Sequence, residues 1–463
     1  MNLDDSDLIE LGKYFGVNLI SFKSLRESQD DKYADKLRER ALKKLEKSKE
    51  NYLIEKEMFY AGAIDFMVEE NNGRKRFFIL ETNGGSSRGL SIITSKQQGL
   101  LYDGYLQAIK NSLKNNKRED NKLFILVGTP IDDALLHEKI FLLEYLKKKI
   151  LEIGNSVNIY TELNFKGFFT EDVAFFITDY KNIVLNISFR DNWVMYKDQK
   201  INLLIGDGIA RRIREEDFKR LMREDFRKIN SIIVNPIFFI TDDKSLTYLA
   251  EYFAKSKLKK YRVKYLMFSK GMNEEDLLKK MDFVVKNYNT NFIIKPSGGS
   301  GGAGIIPISS DEDPSNFKKI IKKSKDEFFG KFLKNRDPYP YTIMEIANFS
   351  LINWRNGNHT FDIRIYLSQK EGKIIPIGGL VRIARNSYGG TLNKQEFVVN
   401  LSGYNGNIEV DRALAISPRT RDILNLSDED FVDMFCIGCV LFKSITENYY
   451  KIINFSDWSR LIE

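Results

Sequence analysis

An α/β protein with α+β portions is the fold class that the sequence predicts, on three observations. From residue 122 onward, apolar runs of four to seven residues, the first within "KLFILVG", are separated by a helical stretch or short polar loops. That pattern suits a mainly parallel sheet whose strands are buried on both faces. "NFIIKPSGGSGGAGIIPI", residues 291–308, places two strands around a run of glycines. "MFYAGAIDFMVEE", "NNGRK" and "RFFILETN" read as two strands joined by an Asn-Gly turn, the strongest short hairpin signal.

At 463 residues the chain has room for two to four structural units, and its 43% hydrophobic content, with 33 Phe and 22 Tyr, supplies real cores. The apolar runs, such as "VNPIFFI", fall far short of the ~20 residues a membrane-crossing helix needs. The start, "MNLDDSDLIELGKYFG", is acidic where a signal peptide is basic, so a cytoplasmic protein is expected. The net charge of +8 is scattered, with no long basic block and no nucleic-acid module, so no nucleic-acid partner is expected. Cys436 and Cys439 form a C-x-x-C within "MFCIGCVLF". With no other cysteine and only two histidines, zinc lacks its ligand set, and the apolar surroundings suit buried small residues better than a reactive thiolate.

The elements follow in order. Residues 33–52 carry charged pairs at helical spacing and read as an exposed helix. The hairpin comes next, its second strand ending in Glu81, Thr82 and Asn83, and then a helix over about 94–116. The charged run "NNKREDNK" marks a boundary. Beyond it a helix spans 135–154, and "VNIYTEL", "VAFFITD", "INLLIGDG" and "SIIVNPIFFIT" read as strands. Gly206, Asp207 and Gly208 sit at a strand end and read as a plain turn. A helix starts at Asp242 or Asp243. After the glycine hairpin, "YTIMEIANFS" is a strand ending at Glu345, and "TFDIRIYLSQKEGKIIPIGGLVRIAR" is two strands carrying Asp362, Arg364 and Arg382. "FVVNLSGYNGN" reads as a strand ending on Asn400.

Two of these places carry chemistry. Glu81 and Asn83, two apart on a strand, share a face ahead of the loop "GGSSRG". A carboxylate and an amide oxygen there suit Mg²⁺ carrying phosphates, although such a pair also decorates ordinary solvated strand ends. Lys295 ends an apolar strand just before five glycines. A P-loop puts its lysine after the glycines and a dinucleotide fingerprint opens a helix, so neither describes this run. A β-hairpin whose backbone N–H groups fold over phosphates does.

Together the lysine, the glycine hairpin, strand-end Glu345, the D-x-R of Asp362 and Arg364, and a separate D…E-x-N set of Asp65, Glu81 and Asn83 resemble the ATP-grasp ligases. In that family two α+β subdomains hold ATP between them. D…E-x-N usually comes last; here it comes first, as in the circularly permuted ATP-grasp proteins, and the likeness runs over most of the chain. "KLFILVGTPIDDALLHEKIFLLEYL" resembles the opening of their pre-ATP-grasp domain, "DDKSLTYL" their D-K opening of the nucleotide domain, and "IIPIGGLVRIA…FVVNLSG" their closing segment.

The resemblance implies a circularly permuted ATP-grasp fold with a Rossmann-like pre-ATP-grasp domain. Its parts would be 1–118 with the metal hairpin, 119–240, a nucleotide-binding part at 241–345, and 346–463. It further implies that Asp65, Glu81 and Asn83 bind Mg²⁺. Lys244, Lys295 and the loop Ser297, Gly298, Gly299, Ser300, Gly301 and Gly302 would hold ATP, with Glu345 on the nucleotide, while Arg364, Arg382 and Asn400 form the catalytic set. The implied activity is ATP-dependent joining of a small-molecule carboxylate, or short peptide, to an amine through an acyl phosphate. A nucleotide-binding module without ligase activity and an ATP-grasp phosphotransferase are the alternatives. "ETNGGSSRG" and "NLSGYNGN" depart from the family's usual pattern near the acceptor, leaving the substrates open. The oligomeric state, a homo-oligomer included, is equally open. If the order is permuted, the hairpin at 57–83 must pair with the segment near 361–400.

Overall fold

A computed structural model describes residues 11–15, 29–48, 54, 55, 57–84, 90–129, 135–206, 209–299, 301–332, 336–355, 357–391, 393–399, 401, 409–459 and 462. The helix Gln29–Lys47 precedes the hairpin of β1 (Ala61–Asn71) and β2 (Arg74–Asn83). Asn72 and Gly73 both have positive φ, 51° and 72°, as a two-residue hairpin loop of primed type requires. After the helix Ser95–Lys114 come β3 (Leu123–Thr129), the helix Leu135–Glu152, β4 (Val157–Tyr160) and β5 (Val173–Asp179). Three short strands follow, β6 (Ile187–Arg190), β7 (Trp193–Tyr196) and β8 (Gln199–Lys200), and then β9 (Leu203–Ile205) and β10 (Ile232–Val234). The third region holds the helix Lys244–Phe253, β11 (Phe268–Gly271), β12 (Phe292–Pro296), β13 (Ile306–Ile308) and β14 (Tyr341–Glu345). The last holds β15 (Leu351–Trp354), β16 (Gly357–Lys370), β17 (Lys373–Ile383), β18 (Ala413–Ala415) and the helix Asp428–Glu447.

β3, β4, β5, β9 and β10 form a sheet in the order β10-β9-β3-β5-β4, parallel at every pairing, as the buried apolar runs predict. β11-β14-β12-β13 form an antiparallel sheet that carries the glycine hairpin between β12 and β13. The largest sheet runs β18-β17-β16-β1-β2, with β15 paired to β16. The expected long-range pairing is present: β1 lies antiparallel to β16, from Ala61 against Ser368 to Phe66 against Ile363.

Two sequence expectations are corrected, and one element is new. "SIIVNPIFFIT" is a strand only to Val234; Pro236, which has no N–H to give a ladder, follows at once, and the chain turns into the helix Phe238–Asp242. Asn235 is consumed in that turn, its Nδ2 donating to Ala61 O at 2.6 Å. "FVV" is not a strand: a short helix Lys394–Phe397, capped by Asn393, leads out of a loop folded around buried Glu396, which accepts from Gly389 N at 2.8 Å and Thr391 Oγ1 at 2.9 Å. The small sheet β6-β7-β8 was not expected at all, although its turns, Asp191-Asn192 and Lys197-Asp198, are polar pairs at positive φ.

The helix Asp428–Glu447 is buried along most of its length, and Cys436 and Cys439 face carbonyl oxygens of Ala41 (3.6 Å) and Ile374 (3.8 Å). Burial pushes the Cys436 thiol up to about 12, so these are buried unreactive residues, as the sequence predicts. Among the described residues no helix is long and apolar enough to cross a membrane.

On the opposite face of the large sheet lies the helix Ser95–Lys114, at closest approach where Gly104 meets Tyr60. A Cβ on Gly104 would stand 2.0 Å from Tyr60 O, a backbone atom that cannot swing away. Alanine is the better helix former by ~1 kcal/mol, yet overpacking of this kind costs ~1–3 kcal/mol. Gly104→Ala is therefore expected to lower stability, and a rise in its urea midpoint would refute the close contact.

Candidate functional site

β1, β2, β16 and β17 lie side by side, and their register assembles a charged cluster. Asp65 stands opposite Glu81 on β2 and Arg364 on β16, while Asp362 stands opposite Arg382 on β17. Arg364 donates to Asp65 through Nε at 2.7 Å and Nη2 at 2.6 Å; Arg382 Nη2 donates to the same carboxylate at 2.7 Å, and its Nε to Asp362 at 2.7 Å. All four residues are buried, so each charge needs these partners. Burial opposes ionisation of Asp65, but the Arg364 and Arg382 guanidinium groups outweigh it and hold the carboxyl well below the usual carboxylate range. Burial wins at Asp362, which is pushed up to about 7 against the pull of Arg382.

The register between β1 and β2 slips after Asp65: Phe66 faces Ile79, so Leu80 is the extra residue of a bulge. Thr82 turns into the protein, its Oγ1 2.8 Å from Thr247 Oγ1 on the helix Lys244–Phe253. Glu81 and Asn83 take the other face, as alternation predicts. Asn83 Nδ2 is buried without a hydrogen-bond partner, while the Glu81 side chain is about a third exposed.

The helix Lys244–Phe253 is capped by Asp243, whose side chain accepts from Ser245 N at 3.0 Å. Its first residue, Lys244, reaches two structures at once. Its Nζ lies 3.5 Å from Glu81 Oε2 and donates to Gly299 O, in the glycine loop, at 3.3 Å. Lys295, at the end of β12, donates to Tyr248 OH at 3.3 Å, and that hydroxyl donates in turn to the bulge carbonyl of Leu80. Burial, with Lys244 nearby, lowers Lys295 to about 8, against the opposing pull of Glu81.

The glycine loop is anchored at its base by Ser297 N donating to Pro340 O at 2.9 Å, and by Arg336 Nη1 donating to Gly298 O at 3.0 Å. Gly302 has φ +74°, and a Cβ there would lie 2.8 Å from Val398 Cγ1, so only glycine fits this contact. Ser300 and Asn400 lie outside the described residues, as do Asp207, Gly208 and the loop at 85–89.

The structure thus brings Asp65, Glu81, Asn83, Arg364, Arg382, Lys244, Lys295 and the glycine loop to one region. Glu345 stands apart. Lys295 pairs with Thr342, so Glu345 lies three residues, or ~10 Å, further along β14. Its carboxylate accepts from Met267 N at 3.4 Å. The sequence reading missed Tyr248 and the 2.7 Å ion pair of Asp243 with Lys270. Tyr248 sits four residues after Lys244, on the same helix face, a spacing that could have revealed it.

Among the described residues no group of three His, Cys, Asp or Glu side chains could hold a metal ion alone. Asp65 is already engaged through both oxygens by arginine, which leaves Glu81 and Asn83 as the remaining side-chain donors of the expected set. One carboxylate with a neighbouring amide fits Mg²⁺, which takes few protein ligands and completes its shell with water and phosphate oxygens. The unpartnered Asn83 amide fits the same role, since its oxygen and nitrogen exchange places by a flip.

No protein-family model matches the chain, and neither does any curated protein. Among solved structures, it is similar to a candidate gamma-glutamylcysteine synthetase from Methylobacillus flagellatus KT, at 10% identity and a TM-score of 0.44, over 91% of this chain and 95% of that one. It is also similar to a glutathione synthetase-like effector from Globodera pallida, at 12% identity and TM-score 0.37, over 81% and 83%. A D-alanyl-alanine synthetase A from Vibrio cholerae O1 matches at 9% identity and TM-score 0.35, over 70% and 81%. Identities and scores are all low, so the chain's own residues carry the functional reading.

Proposed function

We propose that this chain is an ATP-dependent carboxylate–amine ligase of the ATP-grasp type, with its metal hairpin placed first in a circularly permuted order. The observation that carries the reading is Lys244, which touches Glu81 on the large sheet and Gly299 in the glycine loop of the other sheet. A lysine shared by a strand-end carboxylate and a glycine loop marks a gap suited to phosphates. Lys295 adds a second cation there.

In this reading the glycine loop and the two lysines hold the ATP phosphates, and Glu81 with Asn83 holds Mg²⁺. Bound there, Mg²⁺ neutralises charge as the γ-phosphoryl group is transferred. A substrate carboxylate oxygen attacks the γ-phosphorus, the bond to the β-phosphate oxygen breaks and ADP leaves. Arg364 and Arg382, held rigid by Asp65 and Asp362, give the acyl phosphate a positive wall. An amine then attacks the acyl carbon, loses a proton, and phosphate departs to leave an amide. Asp65 serves here as the arginines' counter-ion, which differs from the ligand role that the family resemblance implies for it.

Mass spectrometry of products from ATP with a pooled carboxylate and amine library tests the proposal. ADP together with a new amide is expected. ADP with a phosphorylated product and no amide would indicate a phosphotransferase, and bound but unspent ATP a binding module.

The lowered Lys295 gives a pH prediction. The free protein loses that positive charge as pH rises through about 8, and phosphates favour the protonated form. Nucleotide affinity should fall across that window, with proton uptake on binding above it. Calorimetry in buffers of different ionisation enthalpy reads both, and pH-independent affinity from 7 to 9 would exclude Lys295 from the phosphate site.

A further inference from the structure

Between the tip of the β1–β2 hairpin and residues 255–267 lies a groove of about 1190 Å³, bounded on another side by residues 425–430. None of its lining residues belongs to the candidate site, although Met267 touches Glu345. Seven lysines and arginines line it against two carboxylates, Glu70 and Asp430. The groove therefore carries a surplus of positive charge, in a chain whose own net charge is +8.

Some of these cations are committed to the fold. Arg262 pairs with Asp430 and Asp433 at 2.7 Å, Lys264 with Glu69 at 3.0 Å, and Lys75 with Glu70. The side chains of Arg74, Arg76 and Lys259 are exposed and make no ion pair or hydrogen bond among the described residues. Arg74 and Arg76 stand two apart on β2, so their side chains leave one face of the strand ~7 Å apart. The frame beneath is fixed. Phe77 N donates to Arg262 O at 3.1 Å and Lys264 N to Phe77 O at 2.9 Å, which ties the opposite wall to the strand edge. Val263, Leu266 and Leu426 give the groove a buried apolar floor.

Free like charges gathered on a rigid frame repel one another, and that cost is offset when an anion fills the space between them. Guanidinium forks match phosphate oxygens in pairs, and the groove is far larger than one phosphate group. We propose that it binds an oligophosphate, two or more linked phosphate groups, either as a free chain or as the tail of a nucleotide. The inference stands independently of the ligase reading.

Calorimetric titration of the full chain with inorganic tripolyphosphate tests it, with Arg74→Ser/Arg76→Ser and, separately, Lys295→Ala as variants. Both arginines are exposed, so the double variant should keep its melting temperature. Its affinity for tripolyphosphate is expected to fall about tenfold or more, while Lys295→Ala keeps the groove's binding. Parallel titrations with ADP and adenosine distinguish the two sources. ADP binding that the double variant loses identifies a nucleotide tail, whereas tripolyphosphate binding that the double variant loses, beside ADP binding that it keeps or that is absent, identifies a free chain. Unchanged affinity in the double variant, or no binding by the wild-type chain, would overturn the proposal. So would a short DNA duplex that binds more tightly than tripolyphosphate and is lost in the double variant, because the groove would then be a nucleic-acid surface.

Discussion

Asp65→Ala is expected to lose about 3–5 kcal/mol of unfolding free energy, the largest stability effect of any substitution in the site. The Asp65 carboxylate accepts from Arg364 twice and from Arg382 once, inside the protein and out of reach of water. Without it, the nearest carboxylate to Arg364 Nη2 is Glu81, at 3.7 Å and without a matching hydrogen bond. Arg382 keeps Asp362. The cost is therefore mainly the loss of a carboxylate shared by two buried guanidinium groups. Removing both partners of a buried pair is far milder than removing one, so Asp65→Ala/Arg364→Leu should recover much of the loss. Urea denaturation with an unchanged slope measures it. The contribution also has a pH signature: the folded carboxyl is held below its unfolded value, so this stability is present above pH ~4 and is lost as pH falls below it. A single variant that stays within experimental error of wild type would mean that the cluster is not closed as described.

How far the sequence discloses this site depends on the range of each signal. Strand alternation is local, so Glu81 and Asn83 could be placed on one face, and the Asn72-Gly73 turn fixed the hairpin around them. The pairing of Asp65 with Arg364 spans 299 residues. No propensity or period encodes such a contact, and only the order of motifs compared with a known family pointed to it. The Leu80 bulge, which turns a carbonyl toward Tyr248, follows from a slip in pairing that composition does not mark. Glu396 misled for a related reason. "EFVVN" has strand-like residues, yet a buried glutamate collects the loop's own donors and folds the segment locally, overriding its β propensity. The basic groove was invisible because its cations come from two segments, 74–76 and 255–264, far apart in sequence and brought together only by the fold.

Glu81→Gln is expected to cut ADP formation on the order of 10²–10³-fold while leaving the melting temperature nearly unchanged, the reverse of Asp65→Ala. The contrast follows from geometry. Glu81 lies directly across from Asp65, but its side chain is about a third exposed and its contacts are loose, 3.5 Å to Lys244 and 3.7 Å to Arg364. Contacts this long make no hydrogen bond and contribute little, so the fold does not depend on them. Glutamine keeps the shape and removes the charge. A structural carboxylate would tolerate the change, whereas a metal ligand would not, because an amide oxygen is a poor substitute for the anionic donor that draws Mg²⁺ from water. Lys244 provides an internal control. If the two act on the same phosphates, Lys244→Met should reduce turnover as well, and the double variant should lose less than the product of the two single losses, since residues acting as a unit are not additive. ADP release by Glu81→Gln at the wild-type rate, with the substrate pair found by product screening, would remove Glu81 from the metal site. The ligase reading would then lose the strand-end carboxylate on which its carrying observation depends.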